Sequence, residues 1–179
     1  MKQTELIHQC CQKKLTAQSQ LYQLYADTIF VICLKYSKNN ADAEDTLQDC
    51  FITIFDKIGQ YNFKGSFEGW LKRIAINTAL QKYRNRSSLE IVTDIKDEED
   101  INDTNVDNEI YNVDVLLQFV QELPDRYRLV FNLYVLDDYS HKEISKLLNI
   151  SENTSKSNLS RARKILKTKL ITYKEKAAQ

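Results

Sequence analysis

Residues 138–166 read DYSHKEISKLLNISENTSKSNLSRARKIL, a stretch that contains two helix starts eleven residues apart. Ser140 can cap the first helix, and Glu143, three residues later, can complete a capping box. Ser151 can cap the second helix, and Asn149 falls at the turn between the two. Two capped helices joined by so short a turn are the layout of a helix-turn-helix, whose second helix enters the major groove of DNA.

The outer face of the second helix has the composition of a surface that contacts DNA. At about 100° per residue, Leu159, Ala162 and Leu166 lie on one side of this helix. The other side carries small hydroxyls, amides and bases, which are the side chains that contact base edges and phosphates. These predicted contacts are Asn153, Lys156, Ser157, Ser160, Arg161 and Lys164. A basic, solvated surface helix is the alternative interpretation.

The composition predicts a helical protein. The 179 residues suffice for one domain or two small ones, and 42% of them are hydrophobic. With only 3 Gly and 1 Pro, the chain is poor in the residues that tight β-turns need. No apolar run approaches the roughly 18 residues of a membrane span, and the N-terminus has no signal-peptide pattern. The sequence therefore predicts an all-α, cytoplasmic protein with no membrane insertion of its own.

The cysteines and histidines do not predict a metal site or any other cofactor. The two histidines, His8 and His141, are far apart in sequence, and no C-x-x-C pair occurs. His8 with Cys10 and Cys11 is the one cluster, and an ordinary helix start explains it more simply. Cys33 and Cys50 are expected to be buried, reduced thiols.

The charges are strongly segregated although the formal net charge is +0. Residues 41–56 contain five acids and no base, whereas residues 57–86 contain seven bases and one acid. Residues 90–122 then contain eleven acids and one base, and residues 142–176 contain ten bases and three acids. Two basic blocks separated by an acidic one indicate two contacts with nucleic acid, joined by a segment that avoids it.

The first half of the chain has helical periodicity with a distinctive polar stripe. A helix around residues 45–58 sets an apolar face against Asp45, Gln48 and Asp49. The loop YNFKGS, residues 61–66, ends in Ser66, which can cap the following helix.

The second half begins with a linker. Residues 87–112 are acidic and lack periodicity, and they predict a flexible, disordered segment. Helical spacing then resumes, and Pro124 marks the start of a helix with Val130 and Tyr134 facing inward. The sequence thus predicts two small helical domains joined by an acidic flexible linker.

Three segments together identify a family resemblance. They are ADAEDTLQDCF at 41–51, GSFEGWLKRIAINTAL at 65–80, and the stretch from LPDRYRLVF at 123 to RARKIL at 166. In this order and separation they resemble the two conserved blocks of bacterial extracytoplasmic-function (ECF) sigma factors, small members of the sigma-70 family. The resemblance implies a region 2 domain at 5–86, a linker at 87–112 and a region 4 helix-turn-helix domain at 113–173.

The resemblance implies a role for each predicted surface. The stripe of Asp45, Gln48 and Asp49 corresponds to the part that binds core RNA polymerase. The second helix of the helix-turn-helix corresponds to the reader of the minus-35 element and adds Asn158 to the DNA contacts, where relatives often have a basic residue. The residues that correspond to minus-10 recognition and melting are Tyr61, Phe63, Lys64, Lys72, Arg73, Asn77 and Arg84.

The predicted function is therefore that of an alternative sigma factor, which is not an enzyme. Its predicted partners are core RNA polymerase, promoter DNA and an anti-sigma factor. A conventional DNA-binding regulator with an N-terminal sensor domain is the main alternative, and an anti-sigma or other protein-binding module is a further one. No carboxylate pair, nucleophile–base set or phosphate loop indicates an enzyme.

Overall fold

The computed structural model describes residues 2–87 and 112–177. Contacts divide the chain into two compact units, Met1–Tyr83 and Arg84–Gln179. Every regular element in the described ranges is helical, which confirms the all-α prediction. The predicted linker at 87–112 lies, apart from its two end residues, outside the described part of the chain.

The first unit is built from four α-helices. Asn39 caps the third of them by accepting a hydrogen bond from the backbone N–H of Asp42 at 2.9 Å. Ser66 accepts from the N–H of Gly69 at 2.9 Å and caps the fourth, as predicted. The elements are α1 (Gln3–Cys11), α2 (Leu15–Tyr36), α3 (Asn40–Lys57), a 3₁₀ turn (Ile58–Gln60) and α4 (Phe67–Ser87).

The core of the first unit includes the predicted pair of buried thiols. Cys33 on α2 and Cys50 on α3 are both fully buried, and their Sγ atoms lie 3.9 Å apart. The hydrogen bond to Cys50, together with burial, raises the pKa of Cys33. Cys33 therefore remains a protonated thiol that packs as a small apolar side chain.

The second unit contains α5 (Val113–Gln121), α6 (Asp125–Phe131), a π-helical turn (Asn132–Leu136), α7 (His141–Leu148) and α8 (Glu152–Ala177). A buried arginine closes the corner between α5 and α6. Arg128 donates to the carbonyls of Gln121 and Leu123 at 2.9 and 2.8 Å and forms an ion pair with Asp125. These bonds compensate for the burial of its charge.

The π-helical turn corrects the prediction that Tyr134 faces inward. The N–H of Asp137 donates to the carbonyl of Asn132, five residues earlier, at 3.1 Å. This wider turn breaks the 3.6-residue spacing on which the prediction depended. Tyr134 is consequently 37% exposed, whereas Val130 is buried as predicted.

The α7–α8 pair confirms the predicted helix-turn-helix. Ser140 and Glu143 form both halves of the capping box. Asn149 ends α7 in the left-handed conformation, with φ of 53°, which asparagine tolerates better than most residues. Ser151 accepts a hydrogen bond from the N–H of Thr154 at 2.9 Å at the start of α8.

Candidate nucleic-acid and polymerase interfaces

Most of the side chains predicted to contact DNA from α8 lie on its solvent side. Ser157 and Arg161 are half-buried, and Arg161 donates to the hydroxyl of Tyr127 on α6 at 3.4 Å. That bond fixes one edge of the guanidinium against the domain. The exposed members of the set are Asn153, Lys156, Ser160 and Lys164.

The position of Asn158 corrects the predicted set of DNA contacts on α8. Its side chain is only 5% exposed, because this position turns towards the interior of the domain with Leu159 and Ala162. The structure does not present the Asn158 amide to solvent, so we leave this residue out of the proposed DNA contacts.

A histidine at the start of α7 connects the two helices of the motif. His141 Nδ1 and the hydroxyl of Ser155 on α8 share a hydrogen bond of 2.9 Å, and the imidazole stacks on Tyr134 with centroids 4.4 Å apart. Burial lowers the pKa of His141, and the positive charges of Lys156 and Arg163 lower it further. Ser155 is fully buried, and its hydroxyl makes this contact inside the domain.

The loop at residues 61–66 is held in one shape by its own hydrogen bonds. The Tyr61 hydroxyl donates to the Gly65 carbonyl at 2.8 Å, and the N–H of Lys64 donates to the Asn62 side chain at 3.1 Å. Phe63 has a φ of 59°, in the left-handed region that a bulky residue rarely adopts. The loop thereby places the Phe63 ring, which is 47% exposed, at the protein surface.

Tyr61, too, differs from its prediction as a DNA contact, because its ring is buried. Its ring is only 9% exposed, because it packs among Phe63, Phe67 and Trp70 with centroids 5.0 to 5.6 Å away. Tyr61 therefore supports the loop from beneath and has no free face on which a base could stack. Trp70 is half-buried in the same cluster.

One base of α4, Lys82, forms an ion pair with a residue of α3. Lys82 lies 3.4 Å from the Asp42 carboxylate and donates to the Thr46 hydroxyl at 3.2 Å. It therefore connects α4 to α3, although the charge count of the sequence includes it in the basic block. The predicted DNA contacts nearby are Lys72, half-buried, and Lys64, Arg73, Asn77 and Arg84, all exposed.

The predicted polymerase-binding stripe is exposed along α3. Asp45, Gln48 and Asp49 all lie at the surface of the helix. Ile52 extends the same face by one turn and is 62% exposed. Ile52 was not among the predicted contacts, although the sequence holds a signal for it: it is an apolar residue on the polar side of an amphipathic helix.

Within residues 2–87 and 112–177, no group of three or more His, Cys, Asp or Glu side chains is arranged to hold a metal ion. None of the helices in those ranges is both long and apolar enough to cross a membrane.

The sequence is similar to two family models and to several characterised proteins. Residues 21–89 match sigma-70 region 2, and residues 114–166 match sigma-70 region 4. The chain is 30% identical to the ECF RNA polymerase sigma factor SigM of Bacillus subtilis (strain 168), over 83% of this chain and 91% of that protein. It is 28% identical to SigW, an ECF RNA polymerase sigma factor of the same organism, over 84% and 87% of the respective chains.

A solved structure shares the fold. The sigma factor RpoE in complex with the anti-sigma factor NepR, from Bartonella quintana, matches with a TM-score of 0.52 at 20% sequence identity. The match covers 85% of this chain and 95% of that one. The two proteins therefore share a fold.

Proposed function

This chain belongs to the extracytoplasmic-function sigma factors, and we propose which of its surfaces carry out each step of initiation. As an alternative sigma factor it binds core RNA polymerase, directs promoter-specific transcription initiation and is not an enzyme. The assignment of steps to residues is our proposal and is supported by exposure, charge and chemistry.

The exposed stripe on α3 is the proposed contact with core polymerase. It combines carboxylates, an amide and the exposed apolar side chain of Ile52. An apolar side chain within a polar surface is the arrangement of a protein interface, in which a few anchors are surrounded by polar contacts. The stripe consists of Asp45, Gln48, Asp49 and Ile52.

The loop at 61–66 and the polar side of α4 form the proposed contact with the opened minus-10 element. Melted DNA requires an aromatic surface for unstacked bases and cations along the phosphates. Phe63 supplies the exposed ring, and Lys64 stands beside it in the loop. The contacts along α4 are Lys72, Arg73, Asn77 and Arg84.

The outer face of α8 is the proposed reader of the minus-35 element. Arginine and asparagine can bond base edges, while lysines and hydroxyls bond phosphates. The proposed contacts are Asn153, Lys156, Ser157, Ser160, Arg161 and Lys164. We further propose that the chain acts in the cytoplasm, where polymerase meets chromosomal DNA, and that an anti-sigma factor restrains it.

Binding energy drives promoter opening in this proposal. Unstacking a base costs about a few kcal/mol, and capture of unpaired bases on the Phe63 loop offsets that cost. Two modest DNA contacts on one chain reinforce each other through effective concentration. Polymerase then supplies the alignment between them.

The single observation that carries this assignment is the separation of charge and chemistry between surfaces: acidic and apolar on α3, basic and aromatic at the loop and α4. The test is run-off transcription with purified bacterial core polymerase and a library of genomic fragments. We expect discrete start sites that depend on the added chain. A core enzyme that starts at the same sites with and without it would refute the function.

A further inference from the structure

His8 on α1 lies beside the exposed ring of the Phe63 loop, although α1 belongs to none of the surfaces assigned above. The ring centroids of His8 and Phe63 are 5.7 Å apart, with an interplanar angle of 35°. His8 is exposed, whereas Leu6, Ile7 and Cys10 turn into the core and hold the helix in place. The structure thus places a second aromatic ring at the edge of the loop.

The two rings form a surface that is already assembled. The centroid of the Phe63 ring lies 5.0 Å from that of Tyr61 and 5.7 Å from that of His8. The left-handed backbone at Phe63 and the hydrogen bonds within the loop restrict its motion. Strained, exposed residues of this kind concentrate at binding sites, where the surrounding structure pays for the strain.

The charge around α1 favours a polyanion. Lys2 precedes this helix and Lys13 and Lys14 follow it, all of them exposed, and Glu5 is the one acid in that stretch. Lys64 adds a further exposed cation on the loop side. Exposed aromatic rings on a segment rich in exposed lysines match single-stranded nucleic acid, which offers a base to stack and phosphates to pair.

We propose that His8 is a further DNA-binding residue, whose imidazole extends the Phe63 surface and stacks on an unpaired base of the opened promoter. The inference rests on the proposed role of the Phe63 loop in base capture. It adds α1, a helix outside the predicted contacts, to the DNA-binding surface. The imidazole can also hydrogen-bond a base edge or phosphate through a ring nitrogen.

The experiment uses the full chain with bacterial core polymerase and a promoter recovered with the wild-type holoenzyme from genomic fragments. A 2-aminopurine at each position of the minus-10 non-template strand in turn reports unstacking as the promoter opens. The variants are His8→Ala, His8→Phe and, as a matched surface control, Thr4→Ala. Thr4 is exposed one turn before His8 on the same helix.

We expect His8→Ala to lower the equilibrium amount of open complex about tenfold, a factor that corresponds to about 1.4 kcal/mol and lies within the range for one base–aromatic stack. His8→Phe, which keeps a stacking ring, should retain most of the open complex, and Thr4→Ala should match wild type. Affinity for core polymerase and thermal stability should not change in any variant.

Open complex of His8→Ala equal to wild type would overturn the inference while leaving the proposed function intact. Equal losses in His8→Ala and His8→Phe would overturn stacking as the mechanism. Recovery of no promoter by the wild-type holoenzyme would instead count against the proposed function itself.

Discussion

Arg161 contacts its own domain at the position where we propose that it reads DNA. Its hydrogen bond to the Tyr127 hydroxyl, 3.4 Å long, anchors the guanidinium on the domain while α8 presents it at a half-exposed position. A side chain that is partly fixed loses less entropy on binding than a freely rotating one. The arginine fork is also the group best suited to bidentate contact with a guanine edge.

We therefore expect Arg161→Ala to reduce minus-35-dependent transcription. The expected loss of binding free energy is roughly 1–3 kcal/mol, the range for one base contact. Run-off transcription from the cognate promoter and from single-base minus-35 variants measures the effect. Arg163→Ala is the matched control, because it removes the same charge from an exposed position about 200° around α8. Equal losses in both variants would mean that charge alone, and not base reading, explains the effect.

The environment of His141 predicts that the stability of the second unit falls as the pH is lowered. Burial, Lys156 and Arg163 lower the pKa of His141 in the folded chain, so the unfolded chain binds a proton more readily near the ordinary histidine pKa of about 6.5. The stability that neutral His141 contributes is present above that value and is lost as the pH falls through and below it.

The free energy of unfolding of the second unit should therefore decrease between pH 7.5 and pH 5.5, and His141→Phe should reduce that decrease. Phenylalanine keeps a ring for Tyr134 to stack on but cannot be protonated. Thermal unfolding followed by far-ultraviolet circular dichroism reports both units. The fluorescence of Trp70, the one tryptophan of the chain, reports the first unit alone and provides an internal control. An unchanged pH dependence in the variant would remove His141 as its cause.

At the scale of the element, local sequence rules predicted most of the fold. The capping residues Ser66, Ser140 and Ser151 all occupy the positions that their spacing predicted, because a cap depends on residues within one turn. Asn149 likewise makes the turn of the helix-turn-helix. By contrast, Tyr61 is buried by Phe67 and Trp70 of the helix that follows it, and Asn158 lies on a helix that packs against α6 and α7. Periodicity within one helix does not encode such packing between elements.

Contacts between different elements also explain the residues that sequence reasoning missed. The Phe63–His8 contact joins α1 to the loop before α4, and Lys82 reaches across to α3 over 40 residues of sequence. The π-helical turn at Asn132–Leu136 displaced the predicted inward position of Tyr134, because the prediction assumed an uninterrupted α-helix.

The α3 stripe supports a prediction at this scale. Asp45→Lys should weaken binding of core polymerase roughly tenfold, since it replaces an attractive charge with a repulsive one at the proposed interface. Fluorescence anisotropy of the labelled full chain titrated with core polymerase gives the dissociation constant. Glu44→Lys is the matched control, because it makes the same charge reversal at an exposed position about 100° away on α3. Unchanged affinity in Asp45→Lys, with the fold intact, would show that the stripe is ordinary solvated surface.

For the whole molecule, the segregation of charge supports the proposal that a chain of net charge +0 binds DNA at two places. The basic block at 142–176 belongs to the unit Arg84–Gln179, whereas the block at 57–86 lies mostly in the unit Met1–Tyr83, and we propose one DNA-binding surface in each. Single DNA-binding modules generally bury less surface than the interfaces of tight, sequence-specific DNA-binding proteins. We therefore expect high affinity to require both proposed surfaces at once, with core polymerase aligning them.

The free chain should consequently bind duplex promoter at least about 100-fold more weakly than the holoenzyme does, since joining two contacts raises affinity by roughly 10²–10⁴ when their geometry permits both. Mobility-shift titrations of one promoter with the free chain and with the holoenzyme, at one fixed salt concentration, measure the difference. Fixed salt matters because the phosphate contacts of both forms weaken as counterions are added. Nanomolar, promoter-specific binding by the free chain would mean that the two units align themselves without polymerase, and polymerase would then have only a catalytic part in promoter selection.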